Sequence, residues 1–149
     1  MRISSEGYIT KNNHPAFRIE CASVSNVNAS SGRVISGSDY QSNKLVQNGS
    51  HFNVSTGRFT APVNGYYYFN FSNRIDAFSG SYIYFTILDN SSSVVTRNLT
   101  SLGATYQTLH CSAVHYLSAN DYVYVQLNVT GDTSVNMDSD GFFSGFLIG

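Results

Sequence analysis

The run Gly65-Tyr66-Tyr67-Tyr68-Phe69-Asn70-Phe71 constrains this chain more than any other stretch. Aromatic side chains suit a pleated, half-buried surface, so Tyr66 to Phe71 reads as a β-strand. Successive side chains on a strand point to opposite faces. Tyr67, Phe69 and Phe71 therefore share one face, apolar enough for the core of a sandwich. Tyr66, Tyr68 and Asn70 share the other. That second face is aromatic but carries hydroxyls and an amide, which suits a protein–protein contact better than bare solvent. It is the first sign of an oligomer.

The rest of the chain is built in the same way. Pro15–Cys21 reads as the first strand of the domain, and proline at a strand start costs no ladder bond. Residues 23–42 are rich in Ser, Asn and Gly and read as loops with one short strand at Val34-Ile35. Lys44–Asn48 follows as a strand, Gly49 and Ser50 turn the chain, His51–Val54 leads to a further turn at Ser55-Thr56-Gly57, and Arg58–Thr60 is a short strand. Ser81–Leu88 alternates, with Ile83, Phe85 and Ile87 on one face. Asp89-Asn90-Ser91 turns the chain into Ser93–Leu99. A long strand runs from Thr105 to Leu117, and Tyr122–Asn128 places Val123, Val125 and Leu127, then Val129, toward the core. Residues 130–140 read as a loop before a closing strand. No segment carries convincing helical periodicity. The 149 residues are the size of one domain. Short strands at this spacing predict an all-β sandwich or barrel.

Composition excludes several functions. Only 11% of residues are charged and the net charge is −1, with no basic run, so nucleic-acid binding is not expected. No window approaches the ~20 apolar residues of a membrane-spanning helix, and Met1–Gly7 lacks the apolar stretch of a secretory signal. The expectation is a soluble protein that does not insert into membranes. Two cysteines, Cys21 and Cys111, make neither a disulfide framework nor a zinc motif. Seven Asn-x-Ser/Thr sequons occur, at Asn28, Asn48, Asn53, Asn70, Asn90, Asn98 and Asn128. Asn70 and Asn128 are among those that fall within predicted strands, and a chain this rich in Asn, Ser and Thr generates the pattern by chance.

The chemistry-bearing residues point away from catalysis. There is no Gly-x-Ser-x-Gly elbow, His-Glu-x-x-His pair or phosphate loop. His110 and His115 are five apart on one strand, hence on opposite faces, and cannot share a metal. His115 has the parity of Cys111 and Leu117 and is a candidate for burial. No catalytic residue is assigned and no enzyme is expected. Asp138-Ser139-Asp140-Gly141 is the one oxygen-rich turn that invites calcium. Asp138 and Asp140 are the candidate ligands, but the bidentate Glu of an EF-hand is missing and turn formation accounts for both. No cofactor is expected beyond that.

Three segments carry a specific family resemblance. Gly57-Arg58-Phe59 with Pro62-Val63 and Gly65–Phe69 resembles the signature of the complement C1q globular domain, part of the C1q/tumour-necrosis-factor superfamily. Leu117-Ser118-Ala119-Asn120-Asp121-Tyr122-Val123-Tyr124-Val125 resembles that family's Leu-x-x-Gly-Asp-x-Val-x-Val hairpin, with Asn120 where glycine is usual. Asp138–Ile148, with Phe143-Ser144-Gly145-Phe146-Leu147 inside it, resembles its closing strand. The resemblance implies a ten-stranded jelly-roll β-sandwich of two five-stranded sheets over residues 15–149, assembling as a trimer. It implies two free buried thiols, because the strands carrying Cys21 and Cys111 are not neighbours in that fold. It also places Tyr66, Tyr68, Phe142 and Phe146 on the sheet through which such domains trimerise. The family's own calcium site draws on the loop before the long strand. Here that loop, Thr100–Ala104, has no carboxylate, and only Gln107 corresponds.

The lead-in, residues 1–14, sharpens the expectation. Gly7–Lys11 followed by His14-Pro15-Ala16-Phe17 resembles the join in tailed-phage structural proteins that end in a C1q-like head. The implied protein is a non-enzymatic homotrimeric head of a virion fibre, located on the virion and attached to an upstream stalk or fibre protein. Its partner would be a host cell-surface glycan or protein. Tyr40, Tyr82, Tyr106 and Tyr116 are the candidate ligand contacts, provided they are exposed. The alternative is a secreted, extracellular C1q-domain recognition protein of innate immunity or signalling.

Overall fold

The computed structural model describes residues 2–3, 9–10, 13–101, 106–132 and 134–148. Two short pieces, β1 (Arg2–Ile3) and β2 (Ile9–Thr10), pair antiparallel ahead of the domain. The domain strands are β3 (Ala16–Glu20), β4 (Val24–Asn28), β5 (Arg33–Val34), β6 (Val46–Asn48), β7 (Phe52–Asn53), β8 (Arg58–Thr60) and β9 (Gly65–Asp76). They continue with β10 (Tyr82–Asp89), β11 (Val94–Ser101), β12 (Tyr106–Leu117), β13 (Tyr122–Thr130), β14 (Ser134–Met137) and β15 (Phe142–Leu147).

Among the described residues these strands form two antiparallel sheets. The inner sheet runs β12–β9–β15–β3–β6, with β14 and then β4 attached along the last residues of β9. The outer sheet runs β11–β10–β13–β8–β7, with β5 attached to β13 beyond β8. The five-plus-five jelly-roll sandwich is therefore the frame. The strands β4, β5 and β14 are additions to it. Three expectations change here. Residues 23–42 hold β4 as well as β5, and residues 130–140 are not all loop, because Ser134–Met137 pairs with β4 and β9. Val27, Val135 and Met137 are buried there. The strand expected to begin at Lys44 begins at Val46, since Ser42–Lys44 forms a 3-10 turn.

The period of two builds the core. Tyr67, Phe69 and Phe71 of β9 have no exposed surface, nor do Ile83, Phe85 and Ile87 of β10 or Val123, Val125 and Leu127 of β13. Phe71 meets Phe85 across the sandwich with ring centroids 4.7 Å apart, and Phe17 stacks on Phe52 at 4.7 Å and on Phe59 at 4.9 Å. Burying one such ring is worth roughly 1.5–3 kcal/mol. Gly145 in the Phe-Ser-Gly-Phe run is a packing requirement. A Cβ there would stand 2.5 Å from Cδ1 of Phe69, so the ring lies on bare backbone. Asn120 takes φ +73°, a left-handed value that Asn tolerates better than most residues. That explains how it replaces glycine in the hairpin motif. Cys21 and Cys111 are both free and buried, and burial pushes both thiols up to about 12.

Candidate functional site

The feature that stands out is the outward face of the inner sheet. Strands β9 and β12 pair over their whole length, Gly65–Asp76 against Tyr106–Leu117. At about 3.4 Å per residue this ladder is roughly 40 Å long. Its outward residues form rows across the sheet. At one end Tyr66 faces Tyr116. In the next row Val114, Tyr68, Phe146 and Ala16 stand side by side, then Ser112, Asn70, Ser144 and Arg18, then His110, Ser72, Phe142 and Glu20. Toward the other end come Thr108 with Arg74 and Tyr106 with Asp76.

The face is thus graded from apolar to polar. Tyr66 and Tyr116 meet edge to face at 5.4 Å, and Tyr68 and Phe146 lie 5.4 Å apart. Tyr66 is 56% exposed, Val114 57% and Phe146 45%, so this wall is open to solvent in the single chain. A shallow apolar groove of about 350 Å³ adjoins it, lined by Phe146 and Gly145 of β15, Phe17 of β3 and the exposed Val46 of β6. Contiguous apolar surface of this kind marks a contact site.

The four residues expected at a subunit contact, Tyr66, Tyr68, Phe142 and Phe146, all lie on this one face. Phe142 differs from the other three. It sits beside the polar rows, with the Arg18 guanidinium 4.8 Å from its ring centroid. Val114 belongs to the wall and was not foreseen, although its parity with Tyr116 and Ser112 was available in the sequence. The four ligand-contact tyrosines do not come together. Tyr40 is 4% exposed and bridges Cys21 in the core, so burial removes it from the candidates. Burial also pushes its hydroxyl well above the ordinary range. Tyr116 belongs to the aromatic wall through Tyr66. Tyr106 and Tyr82 are exposed and stand at the polar end, where β9 passes through residues 77–81 into β10.

The two ends of the face differ in another respect. The chain enters the domain at the apolar end. Leu147 N donates to Pro15 O at 3.0 Å, Ile148 N donates to Tyr66 O at 2.7 Å, and the His14 ring hydrogen-bonds Leu147 O. The opposite end is a rim of turns. There Ser79 donates through both N and Oγ to Asp132 Oδ2 at 2.8 Å. The Arg74 guanidinium lies 5.4 Å from the Tyr106 ring centroid.

The calcium candidates are explained by this rim. Arg74 pairs with Asp138, and its Nη1 is 3.6 Å from Asp140. The Arg74 hydrogen bond holds the Asp138 carboxyl below its ordinary value. Asp138 Oδ1 also accepts from the Asp140 amide at 3.1 Å, as a turn-forming aspartate does. A guanidinium already stands where a cation would, so this pair does not fit calcium. Among the described residues no three His, Cys, Asp or Glu side chains gather as a metal site. His115 is half-buried, 3.7 Å from Asp89, and His110 is exposed on the opposite face.

Comparison with known proteins agrees with the architecture. The C1q domain family matches residues 16–148. The chain belongs to the C1q family. No curated protein sequence matches it. Among solved structures, the globular domain of zebrafish complement 1qA superposes with a TM-score of 0.67 at 19% identity, over 91% of this chain and 98% of that one. Murine APRIL at pH 8.0 gives 0.66 at 13% identity, over 90% and 98%. Both likenesses are of fold. C1q-like domains form homotrimers and are generally not enzymes, and the open aromatic wall of this C1q domain lies on its inner sheet.

Proposed function

We propose that this C1q domain is the non-enzymatic homotrimeric head of a virion fibre, joining three upstream chains at its apolar end and meeting a host-surface glycan or protein at its polar rim. The observation that carries the proposal is the separation of the two ends. The chain enters beside Tyr66, and the exposed Tyr82 and Tyr106 lie at the other end of a roughly 40 Å ladder. Packing through the wall of Tyr66, Tyr68, Val114, Tyr116 and Phe146 buries the apolar surface and brings three upstream segments together. It leaves three copies of the rim pointing away from them. The rim offers tyrosine rings, amides and hydroxyls, a palette suited to adaptable polar contacts. The lead-in resemblance to phage structural proteins supports the virion setting.

The test is a glycan array with the purified domain, after its mass in solution has been measured. Binding that the double substitution Tyr82→Ser, Tyr106→Ser abolishes without changing the mass is the expected result. Binding unchanged in that variant would move the contact elsewhere, and a blank array together with no retention on host cells would remove the receptor role.

A further inference from the structure

A polar row bounds the aromatic wall at mid-height of the ladder. Ser112 on β12, Asn70 on β9 and Ser144 on β15 stand directly opposite one another. One row away, Tyr68 stands between Val114 and Phe146. The change from aromatic to amide therefore falls within two residues of a single strand. Asn70 Oδ1 is shielded from water, and among the described residues nothing donates to it. Ser144 Oγ reaches the backbone carbonyl of Asn70 instead, at 3.5 Å. Shielded acceptors without a donor are rare in native proteins, and each calls for an explanation. Nothing among the described residues supplies one.

Resting on the threefold assembly proposed above, we infer that Asn70 fixes the register and the number of copies in that assembly. Its amide takes a hydroxyl of the Ser112–Ser144 row of a second copy as its hydrogen-bond partner. The terminal torsion of asparagine is broad, so the amide can tilt toward the surface of the sheet and offer its acceptor to a donor from a second copy. The occupant is a second copy because a rotation axis sets the same row of every subunit at the same height, where hydroxyls meet amides. Aromatic surfaces alone tolerate sliding and a varying number of partners. A polar group that must be satisfied inside a desolvated contact does not, which is how one buried asparagine sets register and stoichiometry in coiled coils. Arg18 stands at the end of the same row, with Glu20 and His110 in the next. With the Tyr68 phenol in the row on the other side, they are the charged or titratable groups of the rows flanking it among the described residues.

The experiment compares wild type, Asn70→Leu and Asn70→Asp by native mass spectrometry and light scattering at pH 4.5 and pH 8. Wild type is expected as one trimeric species at both. Asn70→Leu is expected to keep associating and to melt no lower, but to spread over two or more stoichiometries. Asn70→Asp is expected to be trimeric at pH 4.5 and to lose the trimer at pH 8, because carboxylates gathered at the axis pack only when protonated. A single trimeric species for Asn70→Leu, or an Asn70→Asp trimer that persists at pH 8, would overturn the role of Asn70. Should the leucine variant fail to fold, the aspartate variant carries the test. A wild-type monomer would overturn the threefold assembly itself, and this inference with it.

Discussion

The two faces of β9 both carry tyrosine and asparagine and have different fates. On one, Tyr67, Phe69 and Phe71 lose all contact with solvent beneath the outer sheet, and the buried Tyr67 hydroxyl donates to Val63 O at 2.8 Å. On the other, Tyr66 and its neighbours Val114 and Phe146 remain about half exposed. The chain covers the first face itself, with β10, β13 and β8. Among the described residues nothing covers the second. Aromatic content alone does not tell a core from a contact surface. Parity along the strand, and the layer standing opposite, does.

Substitutions on the two faces should separate these fates, and they rank by their effect on the fold of the subunit. Phe71→Ala removes a fully buried ring packed on Phe85 and Phe143 and is expected to destabilise the domain by about 3–5 kcal/mol. Denaturant unfolding checks it, and a loss below ~1 kcal/mol would contradict the packing described. Gly145→Ala places a methyl group against Phe69 and should cost about 1–3 kcal/mol, as overpacking does. Tyr68→Asp, one residue from Phe69 but on the other face, should leave the secondary structure intact and shift subunit stability by ~1 kcal/mol or less. It should abolish the assembly, giving monomer or aggregate on light scattering. A normal trimer from this variant would remove the aromatic wall as the contact.

The smallest effect concerns acid. Asp138 is held below its ordinary carboxyl value by the hydrogen bond from Arg74. A lowered folded-state value adds stability at pH above the ordinary carboxyl range and loses it as pH falls through the lowered value. Both partners are partly exposed, so solvent weakens the pair. Asp138→Asn should flatten the acid limb of the stability curve slightly and leave neutral-pH assembly unchanged. A variant no longer trimeric at neutral pH would contradict the purely local role of the pair.

Much of this was legible in the sequence because a period of two is a strong signal where aromatic and β-branched residues alternate. Tyr66–Phe71, Ile83–Ile87 and Val123–Val129 all fall on the faces their parity assigns. The pair β4 and β14 was not legible. Val24 and Val27 stand among Ser and Asn, and Val135 and Met137 share four residues with Ser and Asn. Asn26 takes φ +57° and the register shifts between Val135 and Met137, so the pattern is broken where it would have shown. Tyr40 misled for a different reason. It lies in a Ser/Asp-rich loop that looks solvated, yet the loop is drawn inward by Asp39. That buried carboxylate accepts from Arg33 Nη2 at 2.7 Å and from Ser36 N at 3.0 Å. A tertiary ion pair of this kind leaves no periodic trace. The grouping of Tyr116 with Tyr66 depended on the pairing of β12 with β9, which strand parity alone does not supply.

The central claim is that the outward face of β9, β12 and β15 is completed by two further copies of the chain. Sedimentation equilibrium on the wild-type domain at neutral pH tests it most directly. The account predicts a single species at three times the 16.3 kDa chain mass, undiminished on dilution through the micromolar range. A stable, soluble species at the mass of one chain, with Tyr66 and Phe146 open to water, would contradict it.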